Sequence, residues 1–354
     1  MIVALAVAVI LYVFSPLLAV PRDWMRERTG NFTGPVSGTE QDDNLKANLD
    51  LLHSRMKALY GCSGSVFYVD SSASGTTGAD PDNAVSTLDA AVNLCTASAG
   101  DLIIVLEGHN EALTTADGVD IDVAGVTVVG LGNGNLKPTF DYDNANGEFV
   151  IGAANVRIVN LRFRVSANAT THAIDVEDAG DEFTIERCEF GWAETATDEF
   201  TVAVKVEDNV DYGTIKGCFF SAGGQAATHA IQVVSSCEQL IVKDNIIIGD
   251  YSTTCVGGLS GGNCHYQLIL DNVLFNGTMT GDNEVNTLSA VSYADNTGGL
   301  IKGNDIIADT ATAQVQAIAD DMVLVDNFRA TEDGDEYAGQ IETAASSITA
   351  SPGS

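Results

Sequence analysis

Cations are scarce in this chain. Its 354 residues hold 16 Lys and Arg against 49 Asp and Glu, a formal net charge of −33. Binding to nucleic acid depends on a basic surface that neutralises phosphates, so that class is excluded. Contact with anionic lipid headgroups is disfavoured by the same repulsion. The spacing C-x-x-C is also missing. Seven cysteines, at 62, 95, 188, 218, 237, 255 and 264, offer no zinc-ligand pattern. An odd count in a long chain implies no disulfide scaffold; Cys255 and Cys264, which flank a Gly-rich loop, are the one pair that suggests a bridge. Between the apolar segments of the second half there is no helix-length periodic stretch, which disfavours a β-α solenoid. Strong acidity leaves three readings open: a solvated surface suited to salty water, calcium binding, or repulsion that keeps particles apart.

What the chain does contain is a repeat. Six segments share an aliphatic residue, then Asn, Gly or a charge, two free positions and a large apolar residue. They are Ile158–Phe163, Ile185–Phe190, Ile215–Phe220, Val242–Ile247, Leu270–Phe275 and Ile301–Ile306, and their closing positions step by 27, 30, 27, 28 and 31 residues. A period of this size means one supersecondary unit per repeat, stacked because no unit buries its own apolar face. A second apolar segment precedes these, as in Val119–Val123, Ala173–Val176, Val202–Val206 and Ala230–Val233. Its alternation is the strand period of two. With 45% hydrophobic residues and Gly, Asn, Asp and Ser between the strands, two or three short strands per turn describe an all-β parallel β-helix.

The start of the solenoid is also legible. Val66–Val69 reads as a strand, Ser86–Leu94 as a short amphipathic helix, and Gly100–Gly108 as the next strand with its turns. A helix at Leu88, Ala91, Val92 and Cys95 can cover the open first coil and its unpaired backbone groups. With this cap and the repeat, roughly residues 65 to 330 resemble the right-handed parallel β-helices of pectate lyases, polygalacturonases and phage tailspikes. The resemblance is closest in character to tailspike and other virion β-helix proteins. It implies a right-handed parallel β-helix solenoid with a short N-terminal helix and an apolar N-terminal segment. It does not choose an activity, because this fold carries lyases, hydrolases and inert adhesins alike. Cys188 and Cys218 share a repeat position, so they should stack as buried free thiols: disulfide geometry rarely suits parallel stacked side chains.

The organisation expected is an apolar segment (1–20), a linker (21–40), an amphipathic helix (41–61), the β-helix cap (62–110), the β-helix (111–330) and a C-terminal tail (331–354). The apolar segment is long enough to span a bilayer core. An anchor, a signal peptide and a helix or strand buried in a larger assembly all remain readings of it, and a membrane partner follows only from the first. Leu45, Leu49, Leu52, Met56 and Leu59 step as an a/d seam. Such a helix docks on its own β-helix or joins three chains in a bundle; the tailspike resemblance favours a homotrimer.

Candidate chemistry is sparse. A pectate-lyase reaction needs a carboxylate cluster for calcium and a cationic base that takes the proton α to a uronate. Asp175, Glu177 and Asp178 lie on one coil, Lys205, Glu207 and Asp208 at matching positions on the next, and Arg187 within the first repeat. The alternative is an ordinary solvated face with Asp175 over Lys205 as a surface ion pair worth under ~1 kcal/mol. His172 and His229 recur in Thr-His-Ala-Ile contexts and share phase with inward Ile174 and Ile231, which suits hydrogen-bonded strand starts. Asp141, Asp143 and Glu148 approach a calcium loop but miss its register by one residue. Asn31, Asn168 and Asn276 head glycosylation sequons.

The function expected is a virion structural protein: a phage spike, fibre or capsid-decorating β-helix, homotrimeric within a larger assembly and in contact with a host-surface glycan through loops 193–199, 250–263 and 278–286. No cofactor is expected, with calcium as the one metal in question. The alternative is an extracellular polysaccharide lyase or glycan-binding β-helix at a cell surface.

Overall fold

The computed structural model describes residues 38–331, excepting 117, 167–169, 192–198, 224–226, 259–263, 278–288, 294–295, 309–314 and 319–321, and along the first helix its side chains from residue 47 onward. The apolar segment, most of the linker and the C-terminal tail lie outside the described residues, as do Asn31, Asn168 and most of the three loops. Among the described residues no helix is long and apolar enough to cross a membrane.

Three parallel sheets form the body, and the chain visits them in turn. Among the described residues the first has ten strands, the second nine and the third eight. From β2 onward the order in each sheet steps by three along the chain, so each strand lies beside its counterpart one coil away. The first sheet opens with β1 (Val66–Val69) and β2 (Leu102–Val105), whose register is Val66 on Leu102 through Val69 on Val105. This is the parallel β-solenoid that the repeat implied.

Like residues stack because the coils are in register. Ile158, Ile185, Ile215, Val242, Ile269 and Ile301 form one inward column, each fully buried. Phe140, Phe163, Phe190 and Phe220 form another, with successive ring centroids 5.9, 5.0 and 4.6 Å apart. The fifth repeat corrects the sequence reading. Val242 pairs with Ile269 and Ile247 with Leu274, so Leu270 and Phe275 are not the inward pair. A strand slipped by one residue turns its side chains to the other face, and Leu270 and Phe275 are indeed outward and half-buried.

The polar position of the repeat has a backbone cause. Asn160, Arg187, Gly217, Asp244, Asp271 and Gly303 all have φ between 53° and 68°. Each turns the corner from the first sheet to the second in the left-handed region. Its N–H then donates to a carbonyl of the next coil at 2.9–3.1 Å. Asn and Asp are tolerated there, and Gly is free of the Cβ clash.

One residue later runs a buried ladder. Asn245, Asn272, Asn304 and Asn327 stack coil on coil. The Nδ2 of each of the first three donates to the next Oδ1 at 2.9–3.0 Å and to a carbonyl of the preceding coil, namely Ile215, Val242 or Ile269, at 2.9 Å. Each Oδ1 also accepts the backbone N–H of the residue one coil earlier. Cys188 and Cys218 occupy the same column as buried free thiols, and Cys255 and Cys264 are unbridged as well.

The cap helix, α2 (Leu88–Val92), buries Leu88, Ala91 and Val92 in the same core as Ile103 and Val105, with Thr87 Oγ1 capping Ala90 N–H. The preceding helix, α1 (Gly38–Tyr60), belongs to two units that divide after Arg55. In the second unit Met56 and Tyr60 pack on the outer side of the first sheet against Val66, Tyr68, Leu102 and Ile104. The Arg157 guanidinium lies 5.6 Å from the centre of the Tyr60 ring. Leu52 and Leu59 are 50% and 71% exposed, Leu49 is half-buried, and the Leu45 side chain falls outside the described set. The seam is therefore divided: Met56 docks on its own solenoid while Leu52 and Leu59 face solvent.

Replacing Asn272 by Ala should lower stability by about 3 kcal/mol, because it strands the Asn245 amide groups and the Val242 carbonyl and leaves a cavity. Asp271→Gly, on the exposed corner next door, should stay within about 1 kcal/mol of the parent. Urea denaturation of both variants checks the contrast.

Candidate functional site

The predicted acid–base residues converge in part on the outer face of the third sheet. There β10 (Thr170–Val176), β13 (Phe200–Val206) and β16 (His229–Val233) align His172 with Val202 and His229, and Asp175 with Lys205 and Gln232. Strand alternation breaks in β10, where Ala173 and Ile174 are both fully buried. This double inward step puts His172 and Asp175 on the same outer side, with Nδ1 and Oδ2 3.5 Å apart. His172 is thus outward, contrary to the phase shared with Ile174 on a regular strand. His229 is buried and held by Thr228 Oγ1 at 3.0 Å and Gln232 Nε2 at 3.2 Å, as a hydrogen-bonded strand start should be.

Lys205 Nζ reaches Asp175 Oδ2 at 3.4 Å and makes an ion pair with Glu207. Burial pushes the Asp175 carboxyl up, more than the charge and hydrogen bond of Lys205 pull it down. Burial, with the Lys205 charge second, lowers the His172 imidazole to about 4. Burial alone lowers His229 to about 4. The cluster thus contains a neutral imidazole and an ammonium engaged by two carboxylates. Glu177 is exposed, with its carboxylate over Gly152 of the preceding coil. Arg187 is not brought to this cluster. It sits on the left-handed corner between the first two sheets, its Nε 3.4 Å from Glu186 Oε1. Sequence position within one repeat did not distinguish a corner from a sheet face.

Beside His229, Phe190, Glu199, Phe200 and Tyr251 enclose a cavity of about 10 Å³, room for no more than a water molecule. The calcium-like loop is otherwise engaged: Asp141 pairs with Arg164 and accepts Ser166 Oγ at 2.8 Å, while Asp143 is exposed and Glu148 half-buried. Among the described residues no group of three or more His, Cys, Asp or Glu could hold a metal ion. The Asn276 sequon is closed to modification in the fold, since its side chain is fully buried against the Tyr251 backbone.

A second constellation was not foreseen. On the outer face of the second sheet, β3 (Asn110–Leu113), β6 (Thr139–Tyr142) and β9 (Arg162–Val165) carry a concavity of about 340 Å³. Lys137, Arg162 and Arg164 line it, with Asn110, Asn135 and Thr139. The one signal in sequence was Arg162-x-Arg164, two cations at strand spacing in a chain with few.

No family model matches the sequence, and no curated protein matches it. Among solved structures the chain is similar to a rhamnogalacturonan lyase (10% identity, TM-score 0.39, 80% of this chain and 90% of that one). It is also similar to a pectate lyase (12%, 0.41, 82% and 83%) and to a tailspike protein of an E. coli bacteriophage (13%, 0.39, 85% and 60%). At these values the likenesses carry no argument about chemistry.

The two histidines should make stability depend on pH. Both have folded pKa values below 6.5, so the stability they contribute is present above that value and is lost as pH falls toward 4. Asp175 works in the opposite sense, because its raised pKa lets protonation favour the fold. Between pH 7 and 4.5 the parent should therefore lose more stability than a His172→Gln/His229→Gln variant. The measurement is the urea midpoint across that range; equal slopes would refute the assignment.

Proposed function

We propose that this chain is a virion structural protein, the β-helical shaft of a phage spike, fibre or capsid-decorating protein, working as a homotrimer within a larger assembly. The observation that carries the reading is the apolar side chains that α1 leaves in solvent, Leu52 and Leu59, immediately ahead of the first coil. A chain of net charge −33 repels its own copies unless they meet through uncharged surface. A second apolar surface supports this. On the outer face of the second sheet, Phe219 aligns with Ile246 and Val273, and Ile248 with Phe275. Ile246 is 43% exposed and the other four are half-buried. Apolar outer rows of this kind suit side-by-side shafts better than solvent. The virion or extracellular setting is what the sequence resemblance to tailspike β-helices implies, and contact with a host-surface glycan is assigned to the loops on the same ground.

The alternative is an extracellular polysaccharide lyase or glycan-binding protein at a cell surface. It is favoured by one observation, the Asp175–Lys205–Glu207 grouping. In that reading Lys205, Asp175 and Glu207 flank the uronate, with calcium as the cofactor in question.

Analytical ultracentrifugation of the parent should give a trimer, and Leu52→Glu/Leu59→Glu should shift it toward monomer. Incubation with pectin or alginate and calcium should release no unsaturated ends. A monomer that does release them, and stops doing so as Lys205→Met, overturns the shaft reading in favour of the lyase.

A further inference from the structure

The concavity on the second sheet is unusual for this molecule. The chain as a whole repels anions, yet this wall gathers three of its cations, Lys137, Arg162 and Arg164, with Asn110, Asn135 and Thr139 beside them. These cations are also held in place. Lys137 is buried, with its Nζ 2.8 Å from Glu189 Oε1 and donating to Arg187 O at 3.3 Å. Arg162 Nε donates to Glu189 Oε2 at 2.9 Å and its Nη2 to Gly134 O at 3.0 Å. Arg164 pairs with Asp141. Glu189 and Asp141, on the same outer rows as Arg162 and Arg164, fix where the guanidinium and ammonium groups lie.

The geometry narrows the ligand. Lys137 and Arg162 straddle the two oxygens of one carboxylate, so their charged groups lie side by side. Arg162 and Arg164 are two positions apart on one strand, which puts them on one face about 7 Å apart at the Cα. Three cations against two carboxylates, Glu189 and Asp141, leave one net positive charge around the hollow, which suits an oxyanion with several acceptor oxygens, and guanidinium groups match phosphate and sulfate oxygens. A volume of about 340 Å³ exceeds the needs of a bare ion and falls at the small end of ligand pockets. Asn110 and Asn135 supply neutral donors and acceptors at the rim.

We propose that this hollow is a binding site for a phosphate or sulfate ester, of the size of a sugar phosphate. The site lies on a different sheet from the Asp175–Lys205 cluster and does not depend on the shaft reading.

Calorimetric titration of the full-length protein at low salt, with inorganic phosphate, glucose 6-phosphate and glucose in turn, tests it. Glucose 6-phosphate should bind, and Asn135→Asp, which places a carboxylate on the exposed rim without touching the ion pairs, should weaken it roughly tenfold or more, the loss of about one charge-assisted contact. Lys137→Gln should weaken it similarly, and Lys243→Gln, on the first sheet, should leave it unchanged. Inorganic phosphate binding as tightly as the ester would still support an oxyanion site, one that reads the free ion. The proposal is overturned if neither phosphate binds, if glucose binds as well as its phosphate, or if Asn135→Asp binds like the parent.

Discussion

Everything in this solenoid depends on registered contact between one coil and the next. A parallel sheet has no local hydrogen bonds to fall back on; each strand is satisfied only by the coil before and the coil after. The corners obey the same rule. At Asn160, Arg187, Asp244 and Asp271 the chain accepts a left-handed backbone, and the N–H so exposed finds its carbonyl on the neighbouring coil. The Asn ladder closes the inside of that corner by giving buried carbonyls a donor where no water reaches. Strain at the turn and burial of amides are both unfavourable alone, and both are offset only because the same arrangement recurs one coil on.

That constraint explains where chemistry can and cannot sit. Apart from the Asn ladder, inward positions belong mostly to stacked Ile, Val and Phe, so the charged groupings appear on outer rows, where neighbouring coils bring residues about 27 to 30 positions apart in sequence to one strand spacing. Asp175 and Lys205 meet for this reason, as do Arg162 and Glu189. The two groupings differ in kind. On the third sheet an ammonium lies between carboxylates. On the second sheet two carboxylates stand beside three cations, which leaves one net positive charge at an open hollow.

Much of this was legible in the sequence, and the failures have physical causes. Strand period, turn residues and the cap helix identified the solenoid because backbone pairing dictates them locally. The Leu270 and Phe275 alignment failed because two apolar neighbours, Ile269–Leu270 and Leu274–Phe275, let the pattern be read in either register; only pairing with Val242 and Ile247 resolves it. His172 was assigned to the wrong face because Ala173 and Ile174 both turn inward, a break that alternation cannot anticipate. Arg187 belonged to the right repeat and the wrong surface.

The sequence by itself determined the parallel β-helix, its cap and its stacked free thiols, because each follows from local periodicity. Only the tertiary structure decided which outer residues meet. It divided the leucine seam between a docked Met56 and exposed Leu52 and Leu59, and it separated Arg187 from Asp175. It also turned Lys137, Arg162 and Arg164 into one wall. Those outcomes depend on the exact residue count of each coil, which sets the lateral register and is invisible until the coils are stacked.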